Sequence, residues 1–335
     1  VVWKPATTSL LSSWYLMKIF MEAGVPAGVL NFMPGPGSVG SGVVLKSKDL
    51  AGIHFTGSTQ VFNGLWKGVA ENLSLYRSYP RLVGETGGKD FVFVHASADI
   101  KAAATAMIRG AFEYQGQKCS ATSRAYIPAS RWDELKAKFD IMMPQVRTGD
   151  PRDFRNFVNA VIDEVSFDNC MEYIEYAKGS PKAEILFGGT GDKSVGYFVQ
   201  PTIIKTTDPH FRSMEEEIFG PILTVYVYDD DKFAETLDIC NNTSPYALTG
   251  AVFATDRDAI NRAENVLRYA AGNFYINDKT TAASIGLQPF GGARASGTND
   301  KAGSKLNLIR WCSPRTIKEN LLPPHDFKYP YMQED

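Results

Sequence analysis

Two side chains stand out as able to do covalent chemistry together: Glu85, in Glu-Thr-Gly-Gly-Lys, and Cys119, in Gly-Gln-Lys-Cys-Ser. A thiol with a pKa of about 8.5 is only slightly ionised at neutral pH, yet its thiolate is a strong nucleophile. Cys119 lies in a polar loop rather than in an apolar periodic stretch, which sets it apart from an inert core cysteine. Glu85 is followed by Gly87 and Gly88, which let the backbone come close to a bound molecule. A carboxylate in that setting suits a general base.

The bulk of the sequence narrows the alternatives. The 335 residues call for two packed units rather than one core. Hydrophobic content of 44% and charged content of 21% are those of a globular chain. A net charge of −2 gives no general attraction to nucleic acid or to anionic membrane. Cys119, Cys170, Cys240 and Cys312 are scattered without a Cys-x-x-Cys pair, which argues against a disulfide scaffold and a structural zinc site. His54, His95, His210 and His325 have no metal-ligand spacing, so no metal is expected. The chain opens directly on Val1-Val2-Trp3-Lys4-Pro5, a strand running into a turn, and is expected to be a fragment lacking upstream strands.

Strand and helix signals alternate, which predicts an α/β fold with a parallel, doubly wound sheet. Strands are expected at Val1–Trp3, Val29–Met33 and Ile53–Phe55, with helices after Thr8 and after Ser58. Phe91–His95 opens a second unit, followed by a helix from Asp99 and by strands at 125–127, 222–228, 248–254 and 273–276. Expected boundaries are 1–88 for a partial cofactor domain, 89–304 for a catalytic domain, and 305–335 for a tail whose segment Leu306–Lys318 is extended and assembles with a partner subunit.

Gly35-Pro36-Gly37-Ser38-Val39-Gly40 matches a dinucleotide fingerprint literally, but its proline suits neither the tight turn nor pyrophosphate approach. Phe55-Thr56-Gly57-Ser58-Thr59, opening a helix, is the better phosphate site.

At their spacing, Glu85 and Cys119 resemble the base and nucleophile of the aldehyde dehydrogenase superfamily. The resemblance runs over nearly the whole chain. It implies an aldehyde-dehydrogenase-like fold with an atypical Rossmann cofactor domain that binds NAD through Lys4, Gly57, Ser58, Thr59, Glu217 and Phe219. It also implies a mitochondrial matrix location and homodimers or larger homo-oligomers. Departures from the usual pattern are Thr86 in place of leucine after the glutamate, and Thr7 where NAD-preferring members often carry glutamate.

The stretches Asn273–Thr281 and Gln288–Asp300 are similar to the branch of that superfamily that oxidises L-glutamate γ-semialdehyde in proline breakdown. The resemblance then implies that backbone amides of Ala282 and Ala283 receive the substrate's α-carboxylate, Ser120 adds a hydroxyl, and Phe290 packs on the aliphatic stem. Glycine is usual where Ala282 stands. An oxyanion-binding asparagine of the family would lie upstream of Val1. The competing readings are a broader aldehyde dehydrogenase, a non-catalytic fragment that only assembles with partner subunits, and, least favoured, a cysteine hydrolase.

Overall fold

The computed structural model describes residues 1–284 and 286–332. The chain opens with β1 (Val2–Trp3), α1 (Leu10–Glu22), β2 (Asn31–Phe32) and α2 (Gly37–Val44). Next come β3 (Gly52–Thr56), α3 (Thr59–Glu71) and β4 (Arg81–Glu85). Parallel pairing joins β1 to β2 and β3 to β4, but as two separate pairs rather than one continuous sheet. Phe62 and Val69 of α3 pack with Leu50 and Leu82 into a small core that holds the β3–β4 pair.

A seven-stranded sheet begins at β5 (Asp90–Val94), followed by α4 (Ile100–Phe112), β6 (Thr122–Pro128), α5 (Ala129–Met142), α6 (Glu164–Lys178) and β7 (Ala183–Phe187). A small antiparallel pair, β8 (Gly191–Asp192) and β9 (Phe198–Val199), precedes β10 (Thr202–Thr206), α7 (Arg212–Glu215), β11 (Ile222–Tyr228) and α8 (Phe233–Asn242). The remainder is β12 (Tyr246–Ala247), β13 (Thr249–Phe253), α9 (Arg257–Val266), β14 (Asn273–Ile276), β15 (Ala293–Arg294) and α10 (Lys305–Arg310).

Sheet order is β14-β13-β5-β6-β11-β10-β7, all parallel except the antiparallel edge strand β7. Helices cover both faces, so β5 reads as an unbroken buried run. Phe91 and Phe93 enter the core shared with α6, α8 and α9, while Val92 and Val94 enter the one shared with α4 and α5. Asp side chains start the helices around this sheet: Asp99 accepts the Ala102 N–H at 3.0 Å, and Asp163 accepts that of Ser166 at 2.9 Å.

Within this single chain Leu306–Lys318 does not take the expected extended form. Its first part is α10, and no strand occurs between Trp311 and Lys318. An extended arm needs another strand's backbone to complete its hydrogen bonds, and within one chain the helix completes them instead. This region docks on the β3–β4 pair, where Trp311 lies 5.6 Å from His54 and Arg81 donates to the Cys312 carbonyl at 2.8 Å.

Candidate active site

Glu85 ends β4, and the four residues after it lead straight into β5. The site therefore forms between the carboxyl end of β4 and the amino edge of the large sheet. A strap from residues 295–298 fixes the glutamate. Thr298 donates its N–H to the Gly84 carbonyl at 3.0 Å, and the Thr86 N–H reaches the Ser296 carbonyl at 3.0 Å. Thr86 is buried, and its hydroxyl donates to the Ala295 carbonyl at 2.6 Å, so a leucine there would lose one tie to the strap. Burial raises the Glu85 pKa, and the positive charge of Lys301 opposes the rise. Lys301 is itself held by the carbonyls of Gly272 at 2.7 Å and Gly291 at 3.1 Å.

Cys119 sits on a loop that reverses hand. After α4 ends, Tyr114, Gln115 and Gly116 adopt φ of 53°, 59° and 65°, conformations that non-glycine residues rarely take. Side-chain anchors hold them there. Gln115 accepts the Asn159 N–H at 3.2 Å and donates to the Ala160 carbonyl at 3.1 Å, while Gln117 accepts the Ile162 N–H at 2.8 Å. Glu113 clamps both Lys118 at 3.1 Å and Lys279 at 2.7 Å. On the far side the Thr280 hydroxyl donates to the Ser120 carbonyl at 2.7 Å and lies 2.8 Å from the Thr122 hydroxyl. The Cys119 thiol is pushed up to about 12, first by burial, then by the anionic charges of Asp90, Glu85 and Glu217, with the Ser120 N–H acting the other way. The resting nucleophile is thus a thiol that needs a base nearby.

Gly88 joins these parts. Its N–H donates to Glu217 Oε1 at 2.8 Å, and a Cβ there would overlap the Cys119 carbonyl and the Asp90 carboxyl. A Cβ at Gly87 would overlap the Glu217 carboxylate. The paired glycines thus allow Glu217, Cys119 and the backbone after Glu85 to converge. Burial raises the Glu217 pKa, against the Gly88 N–H and Lys89. Phe219 has φ of 59° and is 46% exposed, an aromatic ring left open beside the cleft lined by Gly88, Lys118 and Glu217.

The other expected cofactor residues fall into two places. Gly57 donates its N–H to the Glu85 carbonyl at 3.2 Å, so the start of α3 lies beside the base. Ser58 caps that helix by accepting the Val61 N–H at 3.3 Å, and the Thr59 hydroxyl donates inward to the Ala295 carbonyl at 3.0 Å. Thr59 thus points its hydroxyl toward the strap. Lys4 lies at the glycine-rich turn, 3.4 Å from the Gly35 carbonyl, with no bond to the Glu85–Cys119 cluster.

Of the expected substrate residues, Ser120 and Phe290 are buried, and Phe290 pairs with Ala302 through backbone bonds at 3.0 and 2.7 Å. The Ala282 N–H is already used, donating to the Lys279 carbonyl at 3.1 Å. Among the described residues the Ala283 N–H has no such partner.

Sequence reasoning did not single out Asp90, Arg124 or Lys301, nor Lys89 beyond its place in a motif. Arg124 is fully buried, with its Nε on the Lys89 carbonyl at 2.8 Å and one terminal nitrogen on the Tyr126 hydroxyl at 2.9 Å. Burial, then Arg124, pushes Lys89 down to about 7, and burial pushes Asp90 up to about 8. The available signal was a Lys-Asp pair directly before the wholly apolar Phe91–Val94.

Residues 1–317 match the aldehyde dehydrogenase family. The chain is 58% identical over 334 residues to the mitochondrial delta-1-pyrroline-5-carboxylate dehydrogenase of Dictyostelium discoideum, covering 99% of this chain and 60% of that protein. It is 50% identical to the human mitochondrial enzyme of the same name, covering 99% of this chain and 59% of that protein. Among solved structures, delta-pyrroline-5-carboxylate dehydrogenase from Mycobacterium tuberculosis bound with NAD superposes with a TM-score of 0.93 at 50% identity, covering 99% of this chain and 61% of that one. The chain spans about 60% of the length of the curated relatives it matches.

Proposed function

We infer the reaction from two observations: this chain belongs to the aldehyde dehydrogenase family, and the Cys119 carbonyl closes on Gly88, three residues after Glu85, whose charge raises the thiol's pKa. The whole protein oxidises L-glutamate γ-semialdehyde, formed from 1-pyrroline-5-carboxylate, to L-glutamate; relatives named delta-1-pyrroline-5-carboxylate dehydrogenase support this reading. Cys119 Sγ adds to the aldehyde carbon, giving a thiohemiacetal, and the oxidised product stays on sulfur as a thioester. Glu85 takes a proton from water, which attacks the thioester and releases the acid. The carboxylate's raised pKa makes it a better proton acceptor than an ordinary glutamate.

NAD, when bound, supplies the hydride acceptor. The residues present fit it: at the start of α3 the Thr59 and Gln60 N–H groups have no partner among the described residues, and the glycines at 87 and 88 leave room for the Glu217 carboxylate beside an open Phe219 ring. Glu217, Phe219 and Lys4 are its expected holders. The Ala282–Ala283 loop, tied to the nucleophile loop through Thr280, is assigned to the substrate's α-carboxylate with Ser120, and Phe290 to its aliphatic stem. Relatives named mitochondrial favour that compartment, and a homo-oligomer is the expected assembly.

The observation that carries the reading is the shared Gly88 contact of the nucleophile loop and the backbone that follows Glu85. NADH formation by the full-length protein tests it. Glutamate γ-semialdehyde should be strongly preferred over propanal, and Cys119→Ala should abolish turnover. Equal rates on the two aldehydes would leave only a broad aldehyde dehydrogenase, and turnover by Cys119→Ala would remove the covalent mechanism.

A further inference from the structure

The Asp90 carboxyl is used unevenly. Its Oδ1 accepts two hydrogen bonds from Thr249, from the N–H at 2.5 Å and from the hydroxyl at 2.9 Å. Its Oδ2 is buried and, among the described residues, has no donor. Near it lies the main-chain carbonyl of Cys119, which has no donor among the described residues; the two oxygens stand 2.4 and 2.0 Å from the point a Gly88 Cβ would occupy. Two acceptors facing one point, one of them a buried carboxyl oxygen, repel one another unless one carries a proton.

We propose that Asp90 is a protonated positioning residue whose Oδ2–H donates to the Cys119 carbonyl. The geometry assigns the oxygens: the one that takes the Thr249 N–H is the carbonyl-like oxygen, and the idle one bears the hydrogen. The grip falls on the peptide between Cys119 and Ser120. The N–H of that peptide is the Ser120 N–H, the group that acts on Cys119 Sγ in favour of thiolate. Holding the carbonyl from Asp90 therefore aims the N–H at the sulfur, while Thr280 holds the next carbonyl along. A neutral Asp90 also removes an anion from beside the thiol. The register of β5 on β6 shifts between Asp90 and Phe91, an irregularity of the kind that re-aims a side chain next to a site.

The groups facing Asp90 agree with a retained proton. Lys89 precedes it on the chain, and Arg124 approaches from β6 with Nε given to the Lys89 carbonyl and Nη1 to the Tyr126 and Cys240 oxygens. Glu217 approaches from beyond α7, Tyr275 from β14 and Cys119 from its loop. Among the described residues neither Lys89 Nζ nor Asp90 Oδ2 has a hydrogen-bond partner, so neither is tied to the other as an ion pair. Burial is the leading cause of its raised pKa.

The consequence for catalysis rests on Cys119 as nucleophile, but the bridge does not, so the two can fail separately. In the 335-residue chain labelled with carbon-13 at aspartate carboxyls, one resonance should titrate between pH 7 and pH 9 and should vanish in Asp90→Asn. If every aspartate titrates below pH 6, the proposal is overturned, whether or not the variant folds. Asparagine keeps a donor at the same place without a titration. Iodoacetamide labelling of Cys119, read by peptide mass spectrometry, should therefore match the parent within about twofold at pH 7 and exceed it above pH 9, where the parent carries the anion. Asp90→Ala should label at least tenfold differently from the parent. Asparagine behaving as alanine does at pH 7 would overturn the bridge.

Discussion

The Gly88 N–H points at Glu217 Oε1 from 2.8 Å, tying the residue after the base's glycine to the carboxylate beside the nucleophile. The charge of that carboxylate, with that of Glu85, raises the pKa of the Cys119 thiol. Glu217→Gln keeps an acceptor for Gly88 and deletes the charge, so the thiol pKa should fall. Labelling of Cys119 by iodoacetamide at pH 8 should rise several-fold; an unchanged rate would mean that the charge does not act on the sulfur.

Lys301 bears on Glu85 in a way that fixes a pH dependence. Its positive charge opposes the burial that raises the glutamate's pKa. A base works ionised, so hydrolysis of the thioester is present above the Glu85 pKa and is lost as pH falls through it. Lys301→Met removes the opposing charge and raises that pKa further. The acid limb of the pH–rate profile in the full-length protein should move to higher pH, whereas an unmoved limb would remove Lys301 from the site's electrostatics.

Gly88→Ala should be severe. The added methyl meets the Cys119 backbone carbonyl as well as Asp90, and backbone cannot turn aside as a flexible side chain can. Overpacking typically costs about 1–3 kcal/mol, and a clash with backbone belongs at the upper end of that range. Equilibrium urea unfolding measures it, and a loss below about 1 kcal/mol would mean that the loop yields easily.

Thr280→Val keeps the shape and deletes the hydroxyl that bonds the Ser120 carbonyl and faces Thr122. Leaving those buried groups unpaired costs about 1–3 kcal/mol. Amide hydrogen exchange around residues 119–121 should quicken more than exchange in β5. Uniform quickening would mean that Thr280 supports the whole sheet rather than the loop.

Much of this was legible because it is local. Strand β5 announces itself as an apolar run, α3 starts at the capping Ser58, and α4 starts at Asp99. The Glu85 and Cys119 segments were marked by glycines and polarity that an ordinary surface or core would not need. Less legible was whatever depends on a partner distant in sequence. Thr249 is the donor to Asp90, the strap at 295–298 is the reason for Thr86, and Lys301 comes near Glu85 as the chain folds back through Phe290–Ala302 pairing. The segment after Ser304 begins as a helix in the single chain, because its extended form needs a neighbouring strand that the chain itself does not supply. Its docking on Gly52, His54 and Arg81 depends on residues more than two hundred positions away.

Tyr114, Gln115 and Gly116 wind against the natural hand of the chain, kept so by the two Gln side chains rather than by their own preference. A coil held by pins releases when a pin is drawn, while the sheet behind it stays whole. Wear from heat or mild denaturant should therefore disarm this protein before it melts, with the reactive sulfur drifting out of place while every strand still reads as native.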